Sequence, residues 1–171
     1  MRLTTLKLKN FRGYRGETVV GFDDLTAFVG KNDVGKSTIL EALDIFFNDK
    51  NSVAKIEKGD INKQSQQDGD TDICISACFS ELPERIVIDS SNETSFSAEY
   101  LLNESSELEI VKKYPNGGTA KVYVRANHPK NPMCCDLLSK TNAELKKLLN
   151  EQHIDCDDRT KNACIRTAIW R

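Results

Sequence analysis

A chain of 171 residues, 39% hydrophobic and 29% charged, has the length and composition of one globular domain that can bury a core. No stretch approaches the roughly 18 uninterrupted apolar residues of a membrane span, and the N-terminus has no apolar signal segment. We therefore expect a cytoplasmic protein without a membrane partner. The formal net charge of −2 gives no global case for nucleic-acid binding, which usually needs a basic domain or a basic face.

The first predicted elements are strands. Leu3 to Leu8 alternates as Leu-x-x-Leu-x-Leu, which predicts a first strand, and a second strand is predicted near Glu17 to Phe22, after the loop Asn10 to Tyr14. The short apolar run Leu25 to Val29 is of the buried-strand type. It predicts a third strand that leads directly into the next motif.

Basic residues are concentrated at the start of the chain. The first fifteen positions contain no Asp or Glu and five cations, which are Arg2, Lys7, Lys9, Arg12 and Arg15. Two interpretations stay open: a solvated surface, or an edge of the fold that faces DNA.

The segment Gly30-Lys31-Asn32-Asp33-Val34-Gly35-Lys36-Ser37-Thr38 fits the phosphate-binding pattern G-x-x-x-x-G-K-[ST]. The glycines allow the chain to wrap closely around a polyphosphate, and backbone N–H groups from Asn32 to Thr38 are expected to ring the phosphates. We expect the catalytic Lys36 to reach the β and γ oxygens and the Ser37 hydroxyl to ligate Mg²⁺. All nine residues from Gly30 to Thr38 are thus candidate nucleotide-binding residues.

The context supports this motif. Ser37 to Phe47 predicts a helix with Leu40, Leu43 and Phe47 on one face, so a strand delivers the loop and a helix N-terminus receives it. The alternative is a glycine-containing turn that carries a lysine by chance.

The middle of the chain is first polar and then rich in strands. Residues 51–71 predict a long exposed connection with one helical turn and no core residues. Three β-rich runs follow, Asp72 to Phe79, Leu108 to Tyr114 and Ala120 to Arg125, and Pro115 to Gly118 makes the last two a hairpin. Ile86 to Ile88 and Phe96 to Leu102 could add one or two strands to a largely antiparallel sheet.

Two helices are predicted near the C-terminus. Thr141 to Glu144 is a capping box that opens a helix with Leu145, Leu148 and Leu149 on one face, and Thr160 to Trp170 predicts another helix. Ile165, Ala168 and Ile169 of that last helix have no predicted cover. We therefore expect the native chain to continue past Arg171.

The six cysteines form neither a C-x-x-C pair nor a disulfide-dense pattern, so we expect reduced thiols. Cys134 and Cys135 with His153 and Cys156 could be drawn as a zinc site, but adjacent ligands in a Pro-containing loop disfavour it. Cys74 and Cys78 lie on one face of a predicted strand, which favours a role as small core residues.

Two segments together carry a family resemblance: Leu6 to Tyr14, which reads Leu-Lys-Leu-Lys-Asn-Phe-Arg-Gly-Tyr, and Gly30 to Leu43, which contains the phosphate-binding motif. They resemble the N-terminal half of the ABC-type ATPase head of the RecF, SMC and OLD proteins. The Asn32-Asp33 pair resembles the OLD branch of DNA repair and phage defence. The implied fold is an α/β P-loop half-head, with a mixed sheet that has an antiparallel portion and with C-terminal helices.

The resemblance implies one ATPase lobe over residues 1–171. Its expected parts are strands, P-loop and helix in 1–50, the polar connection in 51–71, a β-hairpin region in 72–126 and a helical segment in 137–171. It also implies binding of ATP with Mg²⁺, and heads that dimerise around two nucleotides. Arg12 matches the arginine that follows the first strand in this family, where it lies near the nucleotide or the DNA.

Three features of a complete head are not recognisable in the sequence: a Leu-Ser-Gly-Gly-like signature, an apolar strand that ends in Asp-Glu, and a switch histidine. Ile86 to Asp89 imitates that strand, but Ser90 follows in place of the glutamate, and His128 and His153 are expected at the surface. We therefore expect a lobe that binds ATP, as a homodimer or completed by a second ATPase lobe, with DNA as a possible partner.

Two other functions stay open. One is a self-sufficient small P-loop NTPase, although Asn62 to Ser65 has serine where a guanine-reading Asn-Lys-x-Asp element has aspartate. The other is a nucleotide-sensing module that binds DNA or protein without hydrolysis.

Overall fold

The computed structural model describes residues 1–31, 35–48, 51–89 and 92–171. The chain divides into two units, the first formed by Met1–Glu81 and Glu107–Arg125, the second by Leu82–Ser106 and Ala126–Arg171. The strands are β1 Arg2–Lys9, β2 Thr18–Gly21, β3 Ile73–Ser80, β4 Ile86–Asp89, β5 Asn92–Thr94, β6 Leu108–Tyr114 and β7 Lys121–Arg125. The α-helices are α1 Lys36–Asn48, α2 Lys63–Gln67, α3 Asn142–Glu151 and α4 Asn162–Trp170.

The first unit is built on a five-stranded sheet in the order β2-β1-β3-β6-β7, and each of its pairings is antiparallel. Alternation places Leu6 and Leu8 of β1 on the same face as Ala77 and Ile75 of β3, their partners across the ladder. All four side chains are fully buried. The predicted α/β fold, with an antiparallel β portion and C-terminal helices, is confirmed; in place of a mixed sheet, the described strands of this unit pair only in antiparallel fashion.

Helix α1 covers this apolar face, but with a different stripe from the predicted one. Its buried residues are Ile39, Ala42, Ile45 and Phe46, and the Phe46 ring packs 6.4 Å from that of Phe79 in β3. On the predicted apolar face, Leu40 and Phe47 are 57% and 54% exposed, although the Phe47 ring also packs 6.1 Å from that of Phe79. The reason is that apolar residues occupy both neighbouring stripes of this helix, so the period alone does not select the buried one.

The predicted strand Leu25 to Val29 is wrong. These residues form no strand, and the side chains of Leu25 and Val29 are 90% and 92% exposed. The edge strands of the described sheet are β2 and β7, and neither pairs with this segment, so its apolar side chains have no strand to pack beside. Phe28 instead packs edge-to-face on Phe22, with the ring centroids 6.1 Å apart.

The polar connection is more structured than predicted, and it contributes a core residue. It contains a 3₁₀ turn, Lys58–Asp60, and the short helix α2, whose N-cap Asn62 accepts from the backbone of Gln64 and Ser65. Ile61, between them, is 4% exposed and forms a β-bridge with the buried Phe11. The prediction that this segment has no core residue is therefore wrong.

The hairpin between β6 and β7 is confirmed, and its turn packs closely on the polar connection. Gly117 has a φ of +67°, and a Cβ atom there would lie 2.8 Å from the carbonyl oxygen of Glu57. Only glycine meets both requirements at this position.

The second unit pairs β4 with β5 and packs α3 against α4. Phe96 to Leu102 is a turn rather than the predicted strand, since Glu99 N donates to Ser95 O and Leu101 N donates to Phe96 O. The Thr141 capping box of α3 is confirmed. Among the described residues, no helix combines the length and apolar character that a membrane crossing requires.

Two of the three apolar residues that had no predicted cover, Ile165 and Ile169, are buried. Ile165 and Ile169 lie in a core with residues of α3 and of the segment before it, and Ala168 packs against this core. The other members of the core are Cys134, Leu137, Leu145, Leu149 and Trp170. The expectation that the native chain continues past Arg171 stays a prediction.

A buried charge network fixes the turn 96–100 onto α4. Arg166 is fully buried, and its Nε and Nη2 donate to the two carboxylate oxygens of Glu99, both at 2.7 Å. Its Nη1 lies 2.9 Å from Asp89 at the end of β4. Burial alone would lower the pKa of Arg166, but the hydrogen bonds and charges of Glu99 and Asp89 outweigh it and the pKa is raised. The guanidinium therefore stays charged inside the second unit.

We predict that Arg166→Met lowers the free energy of unfolding of the second unit by about 3–5 kcal/mol, because it leaves the buried Glu99 carboxylate without its cation. Urea denaturation followed by the fluorescence of Trp170, the one tryptophan of the chain, measures this. Adding Glu99→Met to the variant should recover part of the loss. If the free energy of unfolding of Arg166→Met lies within about 1 kcal/mol of the parent value, the prediction is contradicted. The matched control is Arg159→Met, at an exposed position.

Candidate nucleotide-binding site

The two ends of the predicted phosphate loop meet at Lys36. This lysine is the first residue of α1, and its ammonium group donates to the carbonyl of Gly30 at 2.6 Å and to the carbonyl of Lys31. The Lys36 charge is therefore held against the start of the loop. Asn32, Asp33 and Val34, which were also predicted to bind nucleotide, lie outside the described residues.

Gly35 requires glycine for two separate reasons. Its φ of +84° lies in the left-handed region, and a Cβ atom there would lie 2.7 Å from the hydroxyl oxygen of Tyr14. That hydroxyl donates to the Gly35 carbonyl at 3.2 Å. The second glycine of the loop is thus fixed by a residue of the Asn10 to Tyr14 segment, which the sequence did not show.

The N-terminus of α1 is suited to anions. The first bond of the helix runs from Ile39 N to Gly35 O, so the preceding N–H groups of the first turn have no partner within the helix. This turn has no acidic residue, and Ser37 is exposed. Together with the Lys36 ammonium and the helix dipole, these groups provide the donors and the positive potential that a polyphosphate requires. The exposed Ser37 hydroxyl is chemically suited to Mg²⁺, which prefers oxygen ligands.

Arg12 lies next to α1 and binds two carboxylates. Its Nε donates to Asp60 at 2.8 Å and its Nη1 donates to Glu41 of α1 at 2.5 Å, while the guanidinium lies 5.1 Å from the centre of the Phe11 ring. Burial would lower the pKa of Arg12, but the hydrogen bonds to Asp60 and Glu41 raise it. The structure therefore shows Arg12 as a link between β1, the polar connection and α1. Its predicted contact with nucleotide stays a prediction.

Asn10 is the buried centre of the same segment. Its side-chain amide donates to the carbonyls of Asp70 and Asp72, and its oxygen accepts from the backbone N–H of Asn62 at 3.1 Å. Its φ of +58° is one that asparagine tolerates better than most residues. The sequence contained the signal, an asparagine directly after a strand, but it did not identify these partners.

The predicted basic edge is neutralised within the first unit. All five cations of the first fifteen residues lie in ion pairs with acidic side chains from elsewhere in the chain: Arg2 with Asp24, Lys7 with Glu109, Lys9 with Asp70, Arg12 with Asp60 and Glu41, and Arg15 with Asp68. The structure favours the interpretation that these residues form a surface of intramolecular ion pairs.

The geometry agrees with a comparison at the family level. The family model described as AAA ATPase domain matches residues 1–169. The chain belongs to the AAA ATPase domain family. This ATPase domain is also 38% identical over 52 residues to structural maintenance of chromosomes protein 1 of Schizosaccharomyces pombe, and 35% identical over 57 residues to the protein of that name from Caenorhabditis elegans. These matches cover 30% and 33% of the chain, but only 4% of either relative.

Two solved structures are similar to the ATPase domain. One comes from work described as structural biochemistry of ATP-driven dimerization and DNA stimulated activation of SMC ATPases. That structure matches with a TM-score of 0.49 and 18% identity, and the match covers 91% of this chain and 81% of the other chain. The other is the SMC head domain from Thermotoga maritima, with a TM-score of 0.43, 18% identity, and coverage of 88% and 51%. The predicted resemblance to an ATPase is confirmed by the family model, and the local sequence matches agree with its SMC part, while the RecF and OLD branches stay predictions.

We predict that Gly35→Ala destabilises the first unit by roughly 1–3 kcal/mol, because alanine meets both an unfavourable φ and the Tyr14 hydroxyl. Tyr14→Phe removes one hydrogen bond and should cost about 0.5–1.5 kcal/mol. Gly59→Ala, where a Cβ atom has open space and φ is not positive, is the control. Urea denaturation followed by far-ultraviolet circular dichroism measures all three, and equal effects of Gly35→Ala and Gly59→Ala would contradict the prediction.

Proposed function

We propose that this chain is the ATP-binding lobe of an SMC-, RecF- or OLD-type ATPase, in which a second lobe completes the catalytic site. The observation that carries the proposal is the position of Lys36: its ammonium lies against Gly30 and Lys31 at the N-terminus of α1. Membership of the AAA ATPase domain family supports nucleotide binding at this place.

The roles of the residues follow from this position. Lys36 supplies a fixed positive charge for the β and γ oxygens, the first turn of α1 supplies backbone N–H groups, and Ser37 supplies a hydroxyl ligand for Mg²⁺. An Mg²⁺ ion held by Ser37 would supply positive charge that offsets the charge of the phosphates. Tyr14 and Arg12 act as positioning residues, since they bind Gly35 and Glu41 and so hold the loop and the helix in place.

Completion by a second lobe is the next part of the proposal. The sequence contains neither a Leu-Ser-Gly-Gly-like segment nor a strand that ends in Asp-Glu. Asp89, which ends β4, is engaged in the second unit, where it pairs with Arg166 and accepts from Asn162. This supports a structural role for Asp89. In the complete assembly, ATP would join two heads around the bound nucleotides, and its hydrolysis would release them.

The finer biological role is also a proposal. The Asn32-Asp33 pair supports the OLD branch, and with it a role in DNA repair or anti-phage defence. The first fifteen residues do not support a DNA-facing edge, because their cations already have acidic partners. A DNA partner of the whole assembly would therefore need other basic groups.

We predict that the chain binds Mg²⁺–ATP and that Lys36→Ala weakens the affinity by at least about tenfold, since a charge-assisted hydrogen bond contributes roughly 1.5–3 kcal/mol. Isothermal titration calorimetry measures this. Lys147→Ala, on the exposed side of α3 in the second unit, is the matched lysine control and should bind ATP like the parent. An unchanged affinity of Lys36→Ala would refute the assignment of the phosphate loop.

We also predict that the chain alone hydrolyses ATP far more slowly than the roughly 10 per second that is the median of enzymes, because it contains no strand that ends in Asp-Glu. A phosphate-release assay at saturating Mg²⁺–ATP measures the rate. A rate near that median, lost in Lys36→Ala, would favour the alternative of a self-sufficient P-loop NTPase. ATP binding without turnover supports the lobe assignment.

A further inference from the structure

The second unit contains a groove that is separate from the candidate nucleotide site. It lies between α4, the β4–β5 hairpin and the loop 154–157, and its volume is about 1030 Å³. Every residue that lines it belongs to the second unit. This volume is at the upper limit of small-ligand pockets, which usually measure about 300–1,000 Å³. A ligand that fills the groove is therefore larger than a typical metabolite.

The floor of the groove is apolar and made mostly of small side chains. Ala163, Cys164, Thr167 and Ala168 of α4 are partly buried there, next to Ile154 and Cys156. Small side chains on one helix face leave space for the main chain and apolar side chains of a peptide. The floor therefore favours a peptide ligand with an apolar side.

The rim of the groove carries more negative than positive charge. Four carboxylates line it, Glu84, Glu93, Asp155 and Asp157, against two guanidiniums, Arg85 and Arg171. Arg85 is already bound to Glu93 at 2.9 Å. Within the described part of the chain, Glu84, Asp155 and Asp157 have neither an ion pair nor a side-chain hydrogen bond, and all three are exposed. The rim therefore has an excess of negative charge that is available to a ligand.

The neighbouring Asp158 differs from Asp155 and Asp157, because its carboxylate is already bound within the chain. Asp158 accepts from the backbone and the hydroxyl of Thr160 and pairs with Lys161. The hydrogen bonds from Thr160 lower the pKa of Asp158. Asp158 is therefore occupied within the turn before α4, whereas Asp155 and Asp157 make no such bonds among the described residues.

We propose that this groove binds a cationic, amphipathic peptide segment of a partner protein, with apolar side chains on the floor and Lys or Arg side chains at Glu84, Asp155 and Asp157. The charge and the size of the groove favour this ligand over a nucleotide, which would meet the carboxylates with like charge. A second copy of the chain is a poor match, because the cationic stretch of its first fifteen residues is occupied by its own ion pairs.

The test uses the full chain and a fluorescein-labelled peptide of three Lys-Leu-Ala-Lys repeats. Its counterpart has Glu in place of every Lys. Fluorescence anisotropy should show binding of the lysine peptide at least about tenfold tighter than that of the glutamate peptide. The double variant Asp155→Asn, Asp157→Asn should weaken lysine-peptide binding by about fivefold, since it removes two exposed ion pairs with the peptide and each such pair contributes modestly. The matched control, Glu104→Gln with Glu151→Gln, removes two exposed carboxylates of the same unit that do not line the groove.

Cysteine footprinting locates the bound peptide. Cys156 and Cys164 line the floor, whereas the exposed Cys135 lies outside the groove and serves as an internal reference. Bound lysine peptide should slow the alkylation of Cys156 and Cys164 by iodoacetamide and leave Cys135 unchanged. Three results would each overturn the proposal: equal binding of the two peptides, equal loss in the control variant, or binding without protection of Cys156 and Cys164. A dimer in sedimentation, together with protection of Cys156 and Cys164 in the absence of peptide, would assign the groove to a second copy of the chain and overturn the proposal as well.

Discussion

The first unit depends on the conformation of one short segment, Asn10 to Tyr14. Asn10 and Arg12 both have positive φ values, 58° and 49°, and both side chains bond to parts of the chain that are distant in sequence. The fully buried Asn10 side chain donates to the carbonyls of Asp70 and Asp72 and accepts from the backbone N–H of Asn62, and a buried backbone group that lacks a hydrogen bond costs roughly 1–3 kcal/mol. The turn after β1 is therefore stabilised by its partners as much as by its own sequence.

The same segment holds the phosphate loop and α1 of the candidate site in position. Tyr14 reaches Gly35 and Arg12 reaches Glu41, so the segment contacts α1 both at the residue before its first turn and inside the helix. A phosphate loop requires donors that are already oriented before the ligand arrives, because ordering them afterwards would reduce the affinity. Tyr14 and Arg12 of the Asn-Phe-Arg-Gly-Tyr motif thus have a structural role that is independent of any direct contact with nucleotide.

Local signals made part of this fold predictable. The leucine pattern of β1, the β-rich runs of β3, β6 and β7, the Pro-Asn-Gly-Gly turn and the Thr141 capping box each depend on a few consecutive residues, and the structure confirms the elements that they predict. The apolar run Leu25 to Val29 could not show by itself whether a partner strand is available. The sequence also could not show which face of α1 is buried, because the helix has apolar residues on two adjacent stripes.

Partners at long range account for most of the remaining differences. Phe96 to Leu102 has the composition of a strand, but Glu99 is held in a turn by Arg166, which is 67 residues away. Ile61 lies in a polar stretch, and only its bridge to Phe11 makes it a core residue. In the candidate site, the pattern located Lys36 and Gly35, while the contacts of Tyr14, Arg12 and Asn10 required the folded chain.

The ion pairs of the first fifteen residues also have a kinetic consequence. Long-range attraction of a polyanion depends on unbalanced charge, and it is this attraction that accelerates encounter at low ionic strength. Here each cation lies beside a carboxylate, so the field of this edge falls off within a short distance. A polyanion would approach this edge at the rate of ordinary diffusion, and added salt would change that rate little.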